Sequence, residues 1–117
     1  MTRAARFLPY LLGVMAIWLV SSMSHPPIPE PLLFWNSDKI MHATAYGALS
    51  LLALYGARDT RIAFAMTSLY GVVDELHQHF VPGRTTDVFD WAADSTGALV
   101  ALALVVFGRS LRRQVRE

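Results

Sequence analysis

The sequence predicts an all-α fold, a polytopic membrane bundle of about four transmembrane helices with both termini cytoplasmic. Three observations carry that prediction. More than half of the 117 residues are hydrophobic and only 16% are charged, against about 25% in soluble domains. Four apolar stretches each approach the roughly 17–25 residues that a spanning helix needs. The basic residues fall in alternate loops, which is the signature of the positive-inside rule.

The first stretch runs over about 7–23, behind Arg3 and Arg6. A cleaved signal peptide is the competing reading, since a basic start and an apolar middle suit one. The segment is long for that, and Ser21-Ser22-Met23-Ser24 offers no clear small-x-small cleavage site. The Pro-rich stretch His25-Pro26-Pro27-Ile28-Pro29-Glu30-Pro31 cannot be helical, because proline lacks a donor and fixes φ; it reads as an extended outer loop. The second stretch covers about 40–56, the third 62–79 and the fourth 91–107. Pro82-Gly83 reads as a tight turn between the last two.

Arg58 and Arg61 join the second and third stretches, and Arg109, Arg112, Arg113 and Arg116 follow the fourth. The other two loops hold only Lys39 and Arg84. With this orientation Trp35 and Trp91 fall at the outer boundary, and Tyr10 and Tyr55 at the inner one, as an aromatic belt would place them. A soluble helical bundle is disfavoured, because the stretches are apolar nearly all round rather than striped. The chain has no cysteine, which excludes a disulfide framework, a Cys-based zinc site and a thiol nucleophile.

The polar residues then share one side. Of nine carboxylates, Glu30, Asp38, Asp74, Glu75, Asp87, Asp90 and Asp94 fall on the outer half, as does every histidine. Asp38, His42 and Tyr46 are four residues apart and occupy one helix face; Asp74 with Gln78, Glu75 with His79, and Asp90 with Asp94 repeat that spacing, and Gly97 follows Asp94 by three on the same face. About a dozen residues, roughly 18 Å of helix, separate Arg61 from Asp74. A hydrocarbon core of about 30 Å thus leaves Asp74 and Glu75 inside the membrane, where an ionised carboxylate must be paired or meet water. Small residues at Ala43, Gly47 and Ala48, and at Ala93, Gly97 and Ala101, let helices approach closely.

These residues carry a family likeness. From about Ser21 to Gly97 the chain resembles the VanZ-like family of small bacterial membrane proteins. The likeness rests on Ser21-Ser22, on Asp38-Lys39-Ile40-Met41-His42 with Tyr46, and on Tyr70-Gly71-Val72-Val73-Asp74-Glu75-Leu76-His77-Gln78. Pro82-Gly83-Arg84, Asp87, Asp90 and Gly97 complete it. Where the family typically has Asn, this chain has Asp94. The resemblance implies a place in the bacterial cytoplasmic membrane and a link to teicoplanin resistance, for which the family's namesake is known. It supplies no reaction.

The expected site comprises Asp38, Lys39, His42, Tyr46, Asp74, Glu75, Gln78, Arg84, Asp87, Asp90 and Asp94. Each has a plainer role beside the functional one. Asp38 and Lys39 suit a solvated ion pair, Asp74 and Glu75 suit partners for Arg84 and Lys39, and Asp87 suits a helix cap. His25, His77 and His79 are expected to be bystanders. Arg84 and Lys39 are expected to meet an anionic head group, with the carboxylates and His42 holding them. The leading expectation is a protein that binds a lipid-like amphiphile or an acylated glycopeptide at an outward-facing polar cavity, with the lipid bilayer as its partner and no nucleic acid. The alternatives are an intramembrane enzyme acting on a lipid phosphate or ester, with Asp74 or Glu75 as base and His42 as acid, and a structural subunit of a membrane complex. No cofactor and no metal is assigned: His42, Asp74, Glu75 and Asp90 suit Zn or Mn chemically, but there is no HExxH.

Overall fold

Proline at the first turn, carboxylates at two helix starts and glycine in one turn set the boundaries of a four-helix chain. The structure, a computed structural model, describes residues 1–26, 28–29 and 37–117. A short 3₁₀ turn at Ala4–Phe7 leads into α1 (Leu8–Ser21), with Pro9 in its first turn, where its missing N–H costs nothing. Next come α2 (Ser37–Ala57), α3 (Thr60–His79) and α4 (Val88–Arg116). No strand occurs among the described residues.

The connections follow from single residues. Arg58 takes a left-handed φ of 61° to end α2, and Asp59 then accepts hydrogen bonds from the Arg61 and Ile62 N–H groups to start α3. Gly83, with φ 78°, makes the tight turn expected at Pro82-Gly83. Asp87 caps α4 through the Phe89 N–H at 2.9 Å, as the sequence allowed. Much of the expected outer loop, with Glu30 and Trp35, lies outside the described residues.

Three segments, Ala4–Ser21, Ser37–Ala57 and Val88–Arg116, are long and apolar enough to cross a membrane. At 20 residues α3 matches them in length, but Asp74, Glu75, His77, Gln78 and His79 crowd its last turns. Helices α2, α3 and α4 outrun their expected bounds, while α1 falls short of its own. Capped by Asp87, α4 starts at Val88, three residues before Trp91, and no glycine or proline follows Gly108, so the helix continues through its arginines to Arg116. Those 29 residues span about 43 Å, longer than a hydrocarbon core of about 30 Å.

Helix α2 is the centre of the bundle, packed chiefly on α4 and then on α3 and α1. Outward-facing Leu8, Leu11, Leu19, Leu69, Leu99 and Leu104 are more than half exposed, a surface that suits hydrocarbon rather than water. The interior is divided along its length. Toward the end with the chain termini it is apolar, built on Ala53, Leu54, Ala63 and Leu102. Toward the other end it is polar, with Asp74, Gln78, Asp90 and Asp94 buried.

Small residues bring α2 and α4 together as their spacing predicts. A Cβ on Gly97 would stand 2.0 Å from the Ala43 carbonyl oxygen, and one on Gly47 would stand 3.2 Å from the Gly97 oxygen. Because backbone meets backbone, neither side can yield. Replacing Gly97 with Ala is therefore expected to lower stability by about 1–3 kcal/mol or more. Gly108→Ala, where a Cβ meets nothing within 4 Å, should be neutral or stabilising by up to about 1 kcal/mol. Thermal unfolding of the two variants in detergent checks the contrast, and equal behaviour would contradict the backbone contact.

Candidate functional site

The polar end of the bundle holds two connected groups of side chains, each built across helices. In the first, the Lys39 ammonium is the hub. Its Nζ lies 2.8 Å from Asp38 Oδ2, 3.2 Å from Asp87 Oδ2 and 2.5 Å from Asp90 Oδ1. One cation thereby ties the start of α2 to the cap and first turn of α4. The Phe89 N–H, joined by the Lys39 ammonium, holds the Asp87 carboxyl below the ordinary carboxylate range. Asp38 shares a helix face with His42 by spacing, yet its side chain is largely exposed, so it serves the hub from outside.

The second group lies deeper. His42 Nδ1 is 2.7 Å from Asp94 Oδ1, and His42 Nε2 is 3.9 Å from Asp90 Oδ2. One turn further along α2, the Tyr46 hydroxyl donates to Asp74 Oδ2 at 2.8 Å. The Gln78 amide nitrogen donates to the same oxygen at 3.4 Å and to Ser21 Oγ at 3.2 Å, which draws α1 into the network. The rings of His42, Tyr46 and Tyr70 follow one another at centroid separations of 6.4 and 6.1 Å. Tyr46 and Gln78 are 2% exposed, Asp74 1% and Asp94 0%. At that burial each polar group must find a partner or cost free energy.

Several sequence-stated pairings fall differently. Asp74 does not pair with Arg84 or Lys39; a phenol and an amide hold it instead, because the α2 residue it meets is Tyr46, about two helical turns beyond the lysine. Arg84 makes no ion pair among the described residues, and its Nη1 donates to the Met23 carbonyl at 3.4 Å. The turn that carries it faces the end of α1 rather than the acidic cluster. Glu75 accepts the Asp87 N–H at 3.4 Å, while His79 is exposed and meets Phe80 edge-on, so their shared spacing does not bring both to the site. Trp91, expected at the membrane boundary, turns inward and donates to the Ser68 carbonyl at 3.1 Å.

His77 is more than a bystander. Its ring stacks on Trp18 at 3.7 Å, and its Nε2 lies 2.9 Å from Ser22 Oγ. With Ser21 and Tyr70, which donates to the Val14 carbonyl, it fastens α1 to α3. The sequence did carry a signal, a Trp and two Ser residues closing an otherwise apolar segment, but spacing within one helix cannot show what the next helix places opposite.

A cavity of about 500 Å³ opens beside this network. Ile17, Val20, Met41 and Ala45 give it an apolar wall, and His42, Tyr46, Asp74 and Gln78 give it a polar one; Arg84 and Asp38 stand in its lining as well. Lys39 is not part of that lining. Of the metal ligands weighed from sequence, His42 and Glu75 come together, but Asp94 rather than Asp74 or Asp90 completes the group, with ligand atoms within 4.8 Å of one another.

Residues 7–109 match the model of the VanZ/LLP1 family. No curated protein and no solved structure matches the chain.

The Tyr46 hydroxyl is the shortest contact to buried Asp74. Tyr46→Phe is expected to destabilise the protein by about 1–3 kcal/mol, the cost of a buried acceptor losing its donor. Thr44→Ala, which removes only an exposed hydroxyl bonded within its own helix, should cost under about 0.5 kcal/mol. Unfolding in detergent, followed by circular dichroism, measures both.

Proposed function

The chain belongs to the VanZ/LLP1 family, and from that premise we propose that it is a multi-pass protein of the bacterial cytoplasmic membrane that binds an amphiphile in its outer-half cavity. The observation that carries the reading is the two-sided lining of that cavity: an apolar wall from α1 and α2 facing a polar one from α2 and α3. An acyl chain suits the first and a hydrogen-bonding head group the second, which is the division expected of a ligand pocket.

The head-group contact falls to Arg84 alone. The lysine that shares its charge is neutralised by three carboxylates, whereas the Arg84 guanidinium retains donors for a phosphate or carboxylate, which it can hold in bidentate fashion. Asp38 and Asp90, also in the lining, would accept from hydroxyl or amine groups of the same head. A phospholipid and an acylated glycopeptide both carry these features, and teicoplanin sensitivity is the cellular readout that the family likeness offers.

All four helices are read as spans, with the basic ends of the chain cytoplasmic. The polar turns of α3 are tolerated because Asp74, Glu75, His77 and Gln78 face other helices or the cavity instead of lipid, and exposed His79 ends the helix. The absence of native cysteine makes this easy to test. A Thr86→Cys variant should react with an impermeant maleimide added to intact cells, and an Arg112→Cys variant only after lysis. The reverse pattern would invert the topology and remove the outward cavity.

Arg84→Ala is expected to weaken binding of a photoreactive phospholipid analogue, or of teicoplanin, by about tenfold or more, a loss of at least roughly 1.4 kcal/mol. Membrane insertion, measured separately, should be unchanged. Wild-type labelling by the inserted variant would remove the head-group role. The His42–Asp94 contact favours a second reading, an intramembrane enzyme on a lipid phosphate or ester, since a carboxylate that orients an imidazole at a cavity wall is a known acid–base arrangement. Turnover of envelope lipids by purified protein, lost in His42→Ala, would select it.

A further inference from the structure

Lys39 does not meet every carboxylate at the polar end of the bundle. Six carboxylates surround the site: Asp38, Asp74, Glu75, Asp87, Asp90 and Asp94. Lys39 answers Asp38, Asp87 and Asp90. Asp74 takes hydrogen bonds from Tyr46 and Gln78 on one oxygen, and its Oδ1 is buried with no partner among the described residues. Glu75 and Asp94 are in the same condition, each with one oxygen bonded, to the Asp87 N–H and to His42 respectively. Neither has a lysine or arginine partner among the described residues, and Glu75 Oε1 and Asp94 Oδ2 are buried with no hydrogen-bond partner there.

These two carboxylates come from α3 and α4, and His42 reaches them from α2. One ligand atom from each lies within 4.8 Å of the other two. Asp94 is fully buried, and its unpartnered Oδ2 is aimed at α3: it would lie 3.2 Å from a Cβ on Gly71, one helical turn before Glu75. Gly71 thus makes the room in which that oxygen stands.

We propose that His42, Glu75 and Asp94 bind a divalent transition-metal cation, with Zn²⁺ the best fit. One imidazole and two carboxylates form a mixed nitrogen–oxygen set of the kind that Zn²⁺ accepts, and the imidazole argues against Mg²⁺ or Ca²⁺. The His42–Asp94 hydrogen bond would give way to the metal, and side-chain rotation would set the ligand atoms at the edge of a tetrahedral shell, about 3.3 Å apart. Three protein ligands leave a fourth position open, and His42 also lines the cavity. The site does not depend on the amphiphile reading, because its ligands are answered by charge and geometry alone.

The test is equilibrium binding of Zn²⁺, and of Co²⁺ as a spectroscopic stand-in, to untagged protein in detergent, with metal content read after gel filtration. Wild type should retain about one equivalent and give Co²⁺ visible bands of a low-coordinate site. His42→Ala, Glu75→Gln and Asp94→Asn should each weaken affinity by at least about tenfold, and His79→Ala, an exposed imidazole outside the group, should not. Wild type that retains no metal overturns the proposal, and so does unchanged binding by His42→Ala or Glu75→Gln. Loss in His79→Ala alone would assign the metal to the surface and overturn it as well. Should Asp94→Asn fail to give monodisperse protein, the two part-exposed positions decide the matter.

Discussion

A carboxylate in a low-dielectric interior must be met by a cation, a donor or water, and the polar half of this bundle is arranged around that requirement. Lys39 meets three of them at the rim, where partial exposure softens both the cost of desolvation and the gain of pairing. Deeper in, donors replace the cation: a phenol and an amide for Asp74, an imidazole for Asp94. Exposure falls along the same path, from the largely exposed Asp38 side chain to fully buried Asp94. The polar network is therefore graded, with its strongest charge where water still reaches and its most directional contacts where it does not.

That gradient also explains why the two halves of the bundle differ. The apolar half depends on shape, and Ala53, Ala63, Leu54 and Leu102 supply it. Buried hydroxyls there stay within their own helices: Ser50 donates to the Gly47 carbonyl and Thr67 to the Ala63 carbonyl. The polar half uses side chains to join different helices. Hydrogen bonds between helices are modest individually in a membrane setting, so specificity comes from several acting on one another, with Asp74 shared by two donors from two helices.

Much of this was legible in the amino-acid order. The all-helical fold, the crowding of charge at one end, the inward turn of Asp74 and the close helix faces at Ala43, Gly47 and Gly97 all follow from a period of 3.6 residues and from the cost of charge in hydrocarbon. The capping role of Asp87 was legible for the same reason, since a cap is local. What spacing cannot give is the offset between helices. Which carboxylate stands opposite His42 depends on how far α4 is slid along α2, and that is fixed by Gly97 against Ala43. The same blind spot hid the Trp18–His77 stack, the separation of Arg84 from the acids and the inward turn of Trp91. The length of α4 was missed on a different ground: apolar content marks where a helix is buried in lipid, not where its backbone stops.

The contact between Gly97 and the Ala43 carbonyl lies immediately beside His42 and one turn from Asp94. Two rods are held most firmly where they come closest, and any tilt between them turns about that place. Any rocking of α4 against α2 would therefore be felt little at the imidazole–carboxylate pair and at the lysine hub one turn away, and most at the distant arginine tail of α4. The chemistry of the bundle sits at its pivot, where movement is smallest.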